Sequence, residues 1–232
     1  MTRLVVAPER LTGAQLALEP AESRYLTKVL RLAPGAPVEV RDGAGHRFES
    51  VLKDTRTIVL GAREVLASEP GPRVHLCFAP PKGKRLDWLL EKATELGATS
   101  LYPVYTERSV RRDATEGRWQ RIVDAAARQC AGAHAPTLYA GRPLSACLTA
   151  PPPGVRLVAH PTATDTLQSQ LSDPRDVVIL TGPEGGFAAA ELTAITAGGF
   201  HTFGLGDRIL RAETAPIVAL TISRYLSGKI LC

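Results

Sequence analysis

Short apolar segments and amphipathic segments alternate along the chain after residue 72. The apolar segments have the length of strands, and the first two are each followed by a segment whose apolar residues recur three and four positions apart. This alternation is typical of parallel strands joined by crossover helices, because each helix then covers one face of the sheet. The sequence therefore predicts an α/β domain with a parallel sheet. The predicted strands are 74–79, 101–105, 155–159 and 177–180, and the predicted helices are 86–96, 118–130 and 213–226.

A different pattern precedes the stretch 68–72. Two prolines and a glycine in this stretch interrupt any regular element, so we expect two domains, at 1–70 and 73–232. Before the stretch, three short segments alternate apolar and polar residues, and 42–45 supplies a hairpin turn between the first two. The first domain is therefore predicted to be a small β domain. Its predicted strands are 37–41, 47–53 and 57–65.

Composition and cysteine spacing exclude several classes of protein. With 44% hydrophobic and 22% charged residues, the chain resembles an ordinary globular protein, and we expect it in the cytoplasm. The N-terminal apolar run is too short for a signal peptide, and no run of about 18 apolar residues is present to span a membrane. Cys77, Cys130, Cys147 and Cys232 lack C-x-x-C spacing, so we expect reduced thiols and no metal site.

The positive charge of the chain is concentrated in its middle third. Residues 1–72 carry 10 Lys and Arg against 9 Asp and Glu, residues 73–150 carry 12 against 7, and residues 151–232 carry 6 against 7. A local basic excess on a nearly neutral background is the expected footprint of a polyanionic partner, because phosphate contacts dominate nucleic-acid affinity. Charge alone leaves a solvated surface as the more common explanation.

Two glycine-rich segments near the C-terminus indicate a ligand site. The first, 181–187, reads TGPEGGF and directly follows a predicted strand, and the second, 205–215, reads LGDRILRAETA. Open α/β sheets bind ligands at the carboxyl ends of their strands, where the first segment lies. Glycine lets a ligand approach the backbone closely, while Pro183 stiffens the turn. Alone, the first segment fits a tight strand-to-helix turn and a loop whose main-chain groups bind an adenosine about equally well.

The two segments, in this order, resemble the cofactor loops of SPOUT methyltransferases of the RsmE type. The resemblance covers nearly the whole chain and implies an N-terminal PUA-like β-barrel domain followed by a SPOUT α/β domain with a C-terminal trefoil knot, assembled as a homodimer. Periodicity indicates no knot, because true knots are almost absent from proteins. The other matching segments are 23–35, with SRYLTKVLRL and PG, 82–97, with DWLLEKATELG, and 107–109, with ERS.

Methylation of N3 of a uridine in 16S ribosomal RNA by S-adenosylmethionine is the activity that the resemblance implies. It also implies ribosomal RNA or the small ribosomal subunit as the partner. Transfer of a methyl group to this nitrogen requires alignment of the reactants, a proton acceptor and a donor for charge on the flanking carbonyl oxygens, and it needs no metal. By matching, the cofactor-binding residues are Leu180, Thr181, Gly182, Pro183, Glu184, Gly185, Leu205, Gly206, Ile209, Leu210, Arg211 and Thr214.

Arg211 and Glu213 are the candidate catalytic residues. Arg211 is the candidate donor for the developing charge, and Glu213 or Glu184 is the candidate base. The alternative is that Glu213 stabilises the N-terminus of the final helix and that Arg211 pairs with it. This helix is apolar on more than one face, which fits either burial within one subunit or a dimer interface.

Cations from both domains are candidate RNA contacts, although each taken singly is more often a solvated charge. One departure from the family pattern lies at Arg128, Gly132 and His134, where the family usually has a glutamate at the first position and an arginine at the second. Local substrate contacts are therefore open. The candidate RNA-binding residues are Arg3, Lys28, Arg31, Lys84, Arg85, Arg108, Arg111 and Arg112.

Two other functions compete with this prediction. One is a SPOUT methyltransferase of another RNA target, against which the match to one type over nearly the full length argues. The other is a catalytically silent RNA-binding protein of ribosome assembly, against which the intact glycines and Arg211 argue. The sequence leaves open the target nucleotide, the general base, and whether the substrate is naked RNA or an assembled subunit.

Overall fold

A computed structural model describes five stretches of the chain, which divides into two compact units. Residues 127–135 belong to the first unit, although they lie far beyond the expected boundary near residue 70. Among the described residues, none of the helices has both the length and the apolar character needed to span a bilayer. The described stretches are 1–66, 71–109, 116–130, 134–171 and 175–228. The units are Met1–Pro70 with Ala127–Ala135, and Gly71–Ala126 with Pro136–Cys232.

The first unit is built on a six-stranded sheet with the order β1-β3-β4-β5-β2, in which β6 also pairs with β4. The predicted hairpin is confirmed, since β3 and β4 are antiparallel and the turn between them places Gly43 and Gly45 at positive φ. Within the described residues no ladder joins β1 to β2. The strands are β1 (Thr2–Val5), β2 (Gln15–Ala17), β3 (Pro37–Arg41), β4 (His46–Asp54), β5 (Thr57–Val59) and β6 (Arg63–Val65).

The prediction of one strand over 57–65 is wrong, because this segment divides into β5 and β6. Both pair with β4, with Val59 opposite Val51 and Arg63 opposite Phe48. Gly61 lies between them and passes so close to β4 that a Cβ there would lie 1.8 Å from the carbonyl oxygen of Glu49. Only glycine permits this approach, and the chain changes course there.

A short helix and a π-helical turn cover the core of this unit. α1 (Pro20–Arg24) leads directly into the π-helical turn Tyr25–Val29. Leu26 of that turn is fully buried in a cluster with the inward-facing residues of the sheet, among them Leu52 and Ile58. Burying such apolar side chains is the main stabilising contribution to a small domain of this kind.

The second unit contains a seven-stranded sheet in which every ladder is parallel, which confirms the predicted α/β architecture. Its strand order is β10-β8-β7-β12-β11-β13, and β9 also pairs with β8. The strands are β7 (Val74–Phe78), β8 (Ser100–Tyr105), β9 (Thr137–Leu138), β10 (Arg142–Pro143), β11 (Val155–Ala159), β12 (Val177–Thr181) and β13 (His201–Phe203). The helices are α2 (Lys84–Glu95), α3 (Glu116–Cys130), α4 (Leu144–Thr149), α5 (Leu167–Gln170), α6 (Ala189–Ala197) and α7 (Thr214–Leu226).

The centre of this sheet is buried on both faces. Every residue of β7 and β12 is buried, as expected for strands covered by helices on each side. α7 packs against α2, β7 and β12. Gly97 ends α2 with φ +76°, and a Cβ there would lie 2.8 Å from Nη2 of Arg224 on α7. Glycine at this position therefore serves both the helix end and the close approach of α7.

The described cysteines are free thiols. Cys77 on β7 and Cys147 on α4 are buried with their Sγ atoms 3.7 Å apart, and Cys130 is half-buried. Cys232 lies outside the described residues. The core holds these thiols as small apolar groups.

An ion pair joins the beginnings of the two central strands. Asp176 precedes β12 and accepts hydrogen bonds from the backbone N–H and the Nε of Arg73, which precedes β7, both at 2.8 Å. Burial raises the pKa of Asp176, but the hydrogen bonds and positive charge of Arg73 outweigh it and hold the pKa below its ordinary value. The carboxylate therefore stabilises the folded state only while it is ionised.

We expect Asp176→Asn to lower the free energy of unfolding by about 1 kcal/mol at pH 7, a modest value because Arg73 is largely exposed. Since the folded pKa is depressed, the difference from the parent protein is complete above about pH 4 and disappears as the pH falls through the folded pKa. Urea unfolding followed by circular dichroism measures this. Asp124→Asn, at a half-buried carboxylate that accepts a hydrogen bond from Gln120, is the control. A difference that does not change with pH would contradict the expectation.

Candidate functional site

A cleft of about 520 Å³ lies at the carboxyl ends of β11 and β12. This volume falls within the range of small-molecule sites in proteins, and the position follows the rule for open α/β sheets. Three loops line the cleft, one after each of the parallel strands β11, β12 and β13. Their lining residues are 159–161, 181–187, and 205–206 with 208–212, joined by Ala215 at the start of α7.

The loop after β12 is held in a compact turn by its own backbone. The N–H of Gly186, at φ +68°, donates to the carbonyl oxygen of Pro183 at 2.9 Å. A Cβ on Gly182 would lie 3.0 Å from the ring of Phe187, so the ring packs directly against the glycine backbone. The loop begins where Thr181 accepts a hydrogen bond from the N–H of Ala79 at 3.0 Å. These contacts fix the backbone before any ligand arrives.

The loop after β13 surrounds open space. Gly206 has φ +94°, and a Cβ there would meet no protein atom within 4 Å. Ile209 of the same loop is 92% exposed. The loop ends where the N–H groups of Thr214 and Ala215 donate to the carbonyl oxygen of Arg211, at the first turn of α7. Gly206 therefore leaves room that a side chain at this position would occupy.

Charged side chains of both signs surround the cleft. Glu213 has a side chain only 11% exposed; its Oε1 lies 3.6 Å from Nε of Arg85 and 4.0 Å from Nη1 of Arg211. Its Oε2 has no hydrogen-bond partner among the described residues. Arg85 also lies 3.9 Å from Glu184, so its guanidinium stands between two carboxylates. Glu213 precedes α7, but its side chain makes no capping hydrogen bond.

Ten of the twelve residues expected at the cofactor line the cleft. Leu180 is fully buried in β12, and Thr214 lies in the first turn of α7 without lining the cleft. Glu213, expected as a catalytic residue, does not line it either, whereas Glu184 and Arg211 do. The ten are Thr181, Gly182, Pro183, Glu184, Gly185, Leu205, Gly206, Ile209, Leu210 and Arg211.

Sequence reasoning missed the loop after β11. Ala159, His160 and Pro161 line the cleft, and the Nδ1 of His160 lies 2.9 Å from Oγ1 of Thr162. The rule that ligands lie at the carboxyl ends of strands already applied to this segment, since its strand was predicted. The other lining residues lie in the two glycine-rich segments but are not among the twelve expected at the cofactor. They are Gly186, Phe187, Arg208, Ala212 and Ala215.

The cations expected to bind RNA differ in the contacts that they make within their own unit. In the second unit Lys84 is exposed, whereas Arg85 pairs with the carboxylates and Nη1 of Arg108 donates to the carbonyl oxygen of Gly185 at 2.8 Å. Arg111 and Arg112 lie outside the described residues, as does Gly132. In the part of the chain that is described, no cluster of His, Cys, Asp and Glu side chains is placed to hold a metal ion.

In the first unit, Lys28 and Arg31 are exposed, and Arg31 has φ +53°. Nε of Arg3 lies 3.1 Å from the buried carboxylate of Glu39. Arg128, a position where the chain departs from the family pattern, belongs to the segment that clusters with this unit. Burial raises the pKa of Glu22, but hydrogen bonds from Arg10 and from the backbone outweigh it and lower the pKa, and the charges of Arg10 and Arg128 add to this lowering.

Known proteins match the chain over almost its whole length. Residues 68–224 match the RNA methyltransferase domain family, and residues 18–60 match the RNA methyltransferase PUA domain family. The ribosomal RNA small subunit methyltransferase E of Synechocystis is 37% identical over 94% of this chain and 75% of its own length.

Solved structures agree in fold. A Neisseria gonorrhoeae ribosomal RNA small subunit methyltransferase E bound to S-adenosyl methionine has a TM-score of 0.80 and 27% identity, covering 98% of each chain. A Legionella pneumophila methyltransferase in complex with bound SAM has a TM-score of 0.80 and 28% identity, covering 97% of this chain and 98% of its own.

Proposed function

Because the chain belongs to the ribosomal RNA small subunit methyltransferase E family, of the RsmE type, we propose that it methylates N3 of a uridine in 16S ribosomal RNA with S-adenosylmethionine. The observation that carries the proposal is the cleft between the glycine loops 181–187 and 205–212, at the carboxyl ends of parallel strands. Relatives whose names state this cofactor share the fold over nearly the whole chain. The uridine and its N3 atom follow from the resemblance to the RsmE type. We propose that the reaction takes place in the cytoplasm, because its substrate would be ribosomal RNA.

Backbone groups of the two glycine loops would hold the cofactor, which supplies an electrophilic methyl group when bound. The chain itself must orient the uridine, remove the proton from N3 and stabilise charge on the flanking carbonyl oxygens. Arg211 lines the cleft with a side chain that is 70% exposed, so its guanidinium is accessible to those oxygens. We assign it the role of charge donor.

Glu184 is better placed than Glu213 to accept the proton. Its side chain lines the cleft and is 43% exposed, whereas the side chain of Glu213 is 11% exposed and lies off the cleft. Arg85 lies near both carboxylates. We therefore propose Glu184 as the proton acceptor, with Glu213 orienting Arg85 and Arg211 by charge.

The detailed fold of each of the two domains is also a proposal. We propose that residues 1–70 form a PUA-like barrel that binds RNA and that residues 73–232 form a SPOUT domain with a C-terminal trefoil knot. The matches at 18–60 and 68–224 support it. A crystal structure tests both features, since a knot and a closed barrel are read directly from the chain path.

We propose that the chain forms a homodimer through α7. Ala219, Leu220 and Ser223 are buried within the second unit, whereas Val218 and Ile222 of the same helix are only half-buried. An apolar helix face left partly open fits association with a second copy of the chain. Light scattering at micromolar concentration distinguishes a dimer from a monomer.

We expect the purified protein to bind S-adenosylmethionine and to transfer its methyl group to 16S ribosomal RNA. Gly206→Val should abolish cofactor binding, because valine is strained at φ +94° and its side chain would enter the cleft. Calorimetry measures binding, and mass mapping of methylated nucleotides identifies the product. Gly13→Val, at a glycine with no protein atom near its Cβ position, is the control.

The outcomes separate the competing functions. Methylation of a different RNA would identify a methyltransferase of another target. Cofactor-dependent RNA binding without transfer to either free 16S RNA or the assembled subunit would indicate a silent RNA-binding protein of ribosome assembly. Unchanged cofactor affinity in Gly206→Val would place the cofactor elsewhere.

Arg211→Ala should lower turnover about a hundredfold or more, by analogy with removal of an oxyanion donor, and should change cofactor affinity far less. The reason is that the charge it stabilises develops only during transfer. Single-turnover methylation at saturating cofactor separates the two effects. Arg211→Lys, which keeps the charge but loses the planar fork, should retain part of the rate. A loss confined to cofactor binding would make Arg211 a cofactor ligand only.

Phosphate contacts from the first unit should hold the RNA. Reversal of Lys28 and Arg31 to Glu should weaken RNA binding and flatten its salt dependence, because each lost phosphate contact removes about 0.7–0.9 from the log–log slope. Cofactor affinity should not change. The double reversal of Lys53 and Arg56 to Glu, at an exposed lysine and an exposed arginine of the same unit, controls for net charge. An equal loss of RNA affinity in the control would show that the effect comes from net charge and not from contacts at Lys28 and Arg31.

A further inference from the structure

The turn after β8 makes a side-chain contact with the first glycine loop. In this turn Oγ of Ser109 accepts a hydrogen bond from the N–H of Thr106 at 2.8 Å and donates one to its carbonyl oxygen at 2.9 Å. The turn positions Arg108, whose Nη1 donates to the carbonyl oxygen of Gly185 at 2.8 Å. A guanidinium to carbonyl bond of this length is a charge-assisted hydrogen bond.

The aliphatic stem of Arg108 packs against the same glycine. A Cβ on Gly185 would lie 3.4 Å from Cδ, 3.5 Å from Cβ and 4.0 Å from Cγ of Arg108. The arginine therefore both packs on the glycine and bonds to its carbonyl oxygen. Its side chain covers the loop on the side where a larger residue at 185 would lie.

A second link joins the same turn to the segment just beyond the loop. Glu191 on α6 accepts a hydrogen bond from the N–H of Glu107 through Oε1 at 2.8 Å. Its Oε2 accepts from the N–H of Ala188 at 2.9 Å, which also begins α6. Glu107 and Arg108 thus hold the segment 185–191 at both of its ends, on either side of Gly186.

We propose that Arg108 is a positioning residue for the cofactor loop and acts through the carbonyl oxygen of Gly185. This inference rests on the proposed function, in which residues 181–187 bind S-adenosylmethionine. Holding a loop in its binding conformation raises affinity because less conformational freedom is lost on binding. Arg108 therefore acts on cofactor affinity in the absence of RNA, which a phosphate contact cannot do.

Cofactor binding without RNA is the test. Calorimetry should show that Arg108→Ala binds S-adenosylmethionine about three- to tenfold more weakly, the range expected for one hydrogen bond. Arg108→Lys keeps the stem and one donor and should recover part of the loss. Under turnover, KM for the cofactor should rise while kcat at saturating cofactor stays close to that of the parent protein. Glu191→Ala, which removes the second link, should shift cofactor affinity in the same direction.

Arg121→Ala is the matched control, because Nε of Arg121 also donates to a backbone carbonyl oxygen, that of Gly117, within its own helix. It should leave cofactor affinity unchanged. If Arg108→Ala binds the cofactor like the parent protein, or if Arg121→Ala loses as much affinity, the proposal is overturned. A parent protein that fails to bind S-adenosylmethionine contradicts the proposed function instead. Thermal melting of each variant shows whether a loss of affinity reflects unfolding.

Discussion

The parallel pairing of β12 with both β7 and β11 determines where this chain can bind a ligand. In the ladders, Leu180 lies opposite Cys77 on one side and Val158 on the other, so the three strands end at the same edge of the sheet. The loops that follow β11 and β12 must therefore meet there. The pairing of β13 with β11 brings the third loop to the same edge. The cleft is a direct consequence of this register.

In the loops around the cleft, glycines and long-range side-chain contacts have different roles. Gly182 lets the ring of Phe187 pack on the backbone, and Gly206 leaves open space where any other residue would place a side chain. The loops are then fixed by side chains from elsewhere in the second unit. Arg85 lies between the carboxylates of Glu184 and Glu213, and Arg108 bonds to Gly185. A site formed by loops needs such support, because a loop backbone alone has several accessible conformations.

The periodicity of apolar residues predicted the helices and strands that are long enough to show a repeat. The central strands and the long helices agree with it. The short strands β9, β10 and β13 have only two or three residues, too few for any period to appear. The division of 57–65 depends on the approach of Gly61 to Glu49 on another strand, a tertiary contact without a local signal.

Tertiary contacts without a local signal also restrict what the sequence could predict about the role of each cation. A count of charges assigns Arg85 and Arg108 to the basic excess of residues 73–150 and hence to RNA. The contact between Arg108 and Gly185 joins positions 77 residues apart, so no local pattern reveals it. Part of the basic excess is therefore engaged inside the second unit, where it orders the cleft. Lys84, exposed in the same stretch, remains a candidate for phosphate contact. Charge composition therefore locates a functional region, but it does not distinguish the cations that contact a ligand from those that support the protein's own loops.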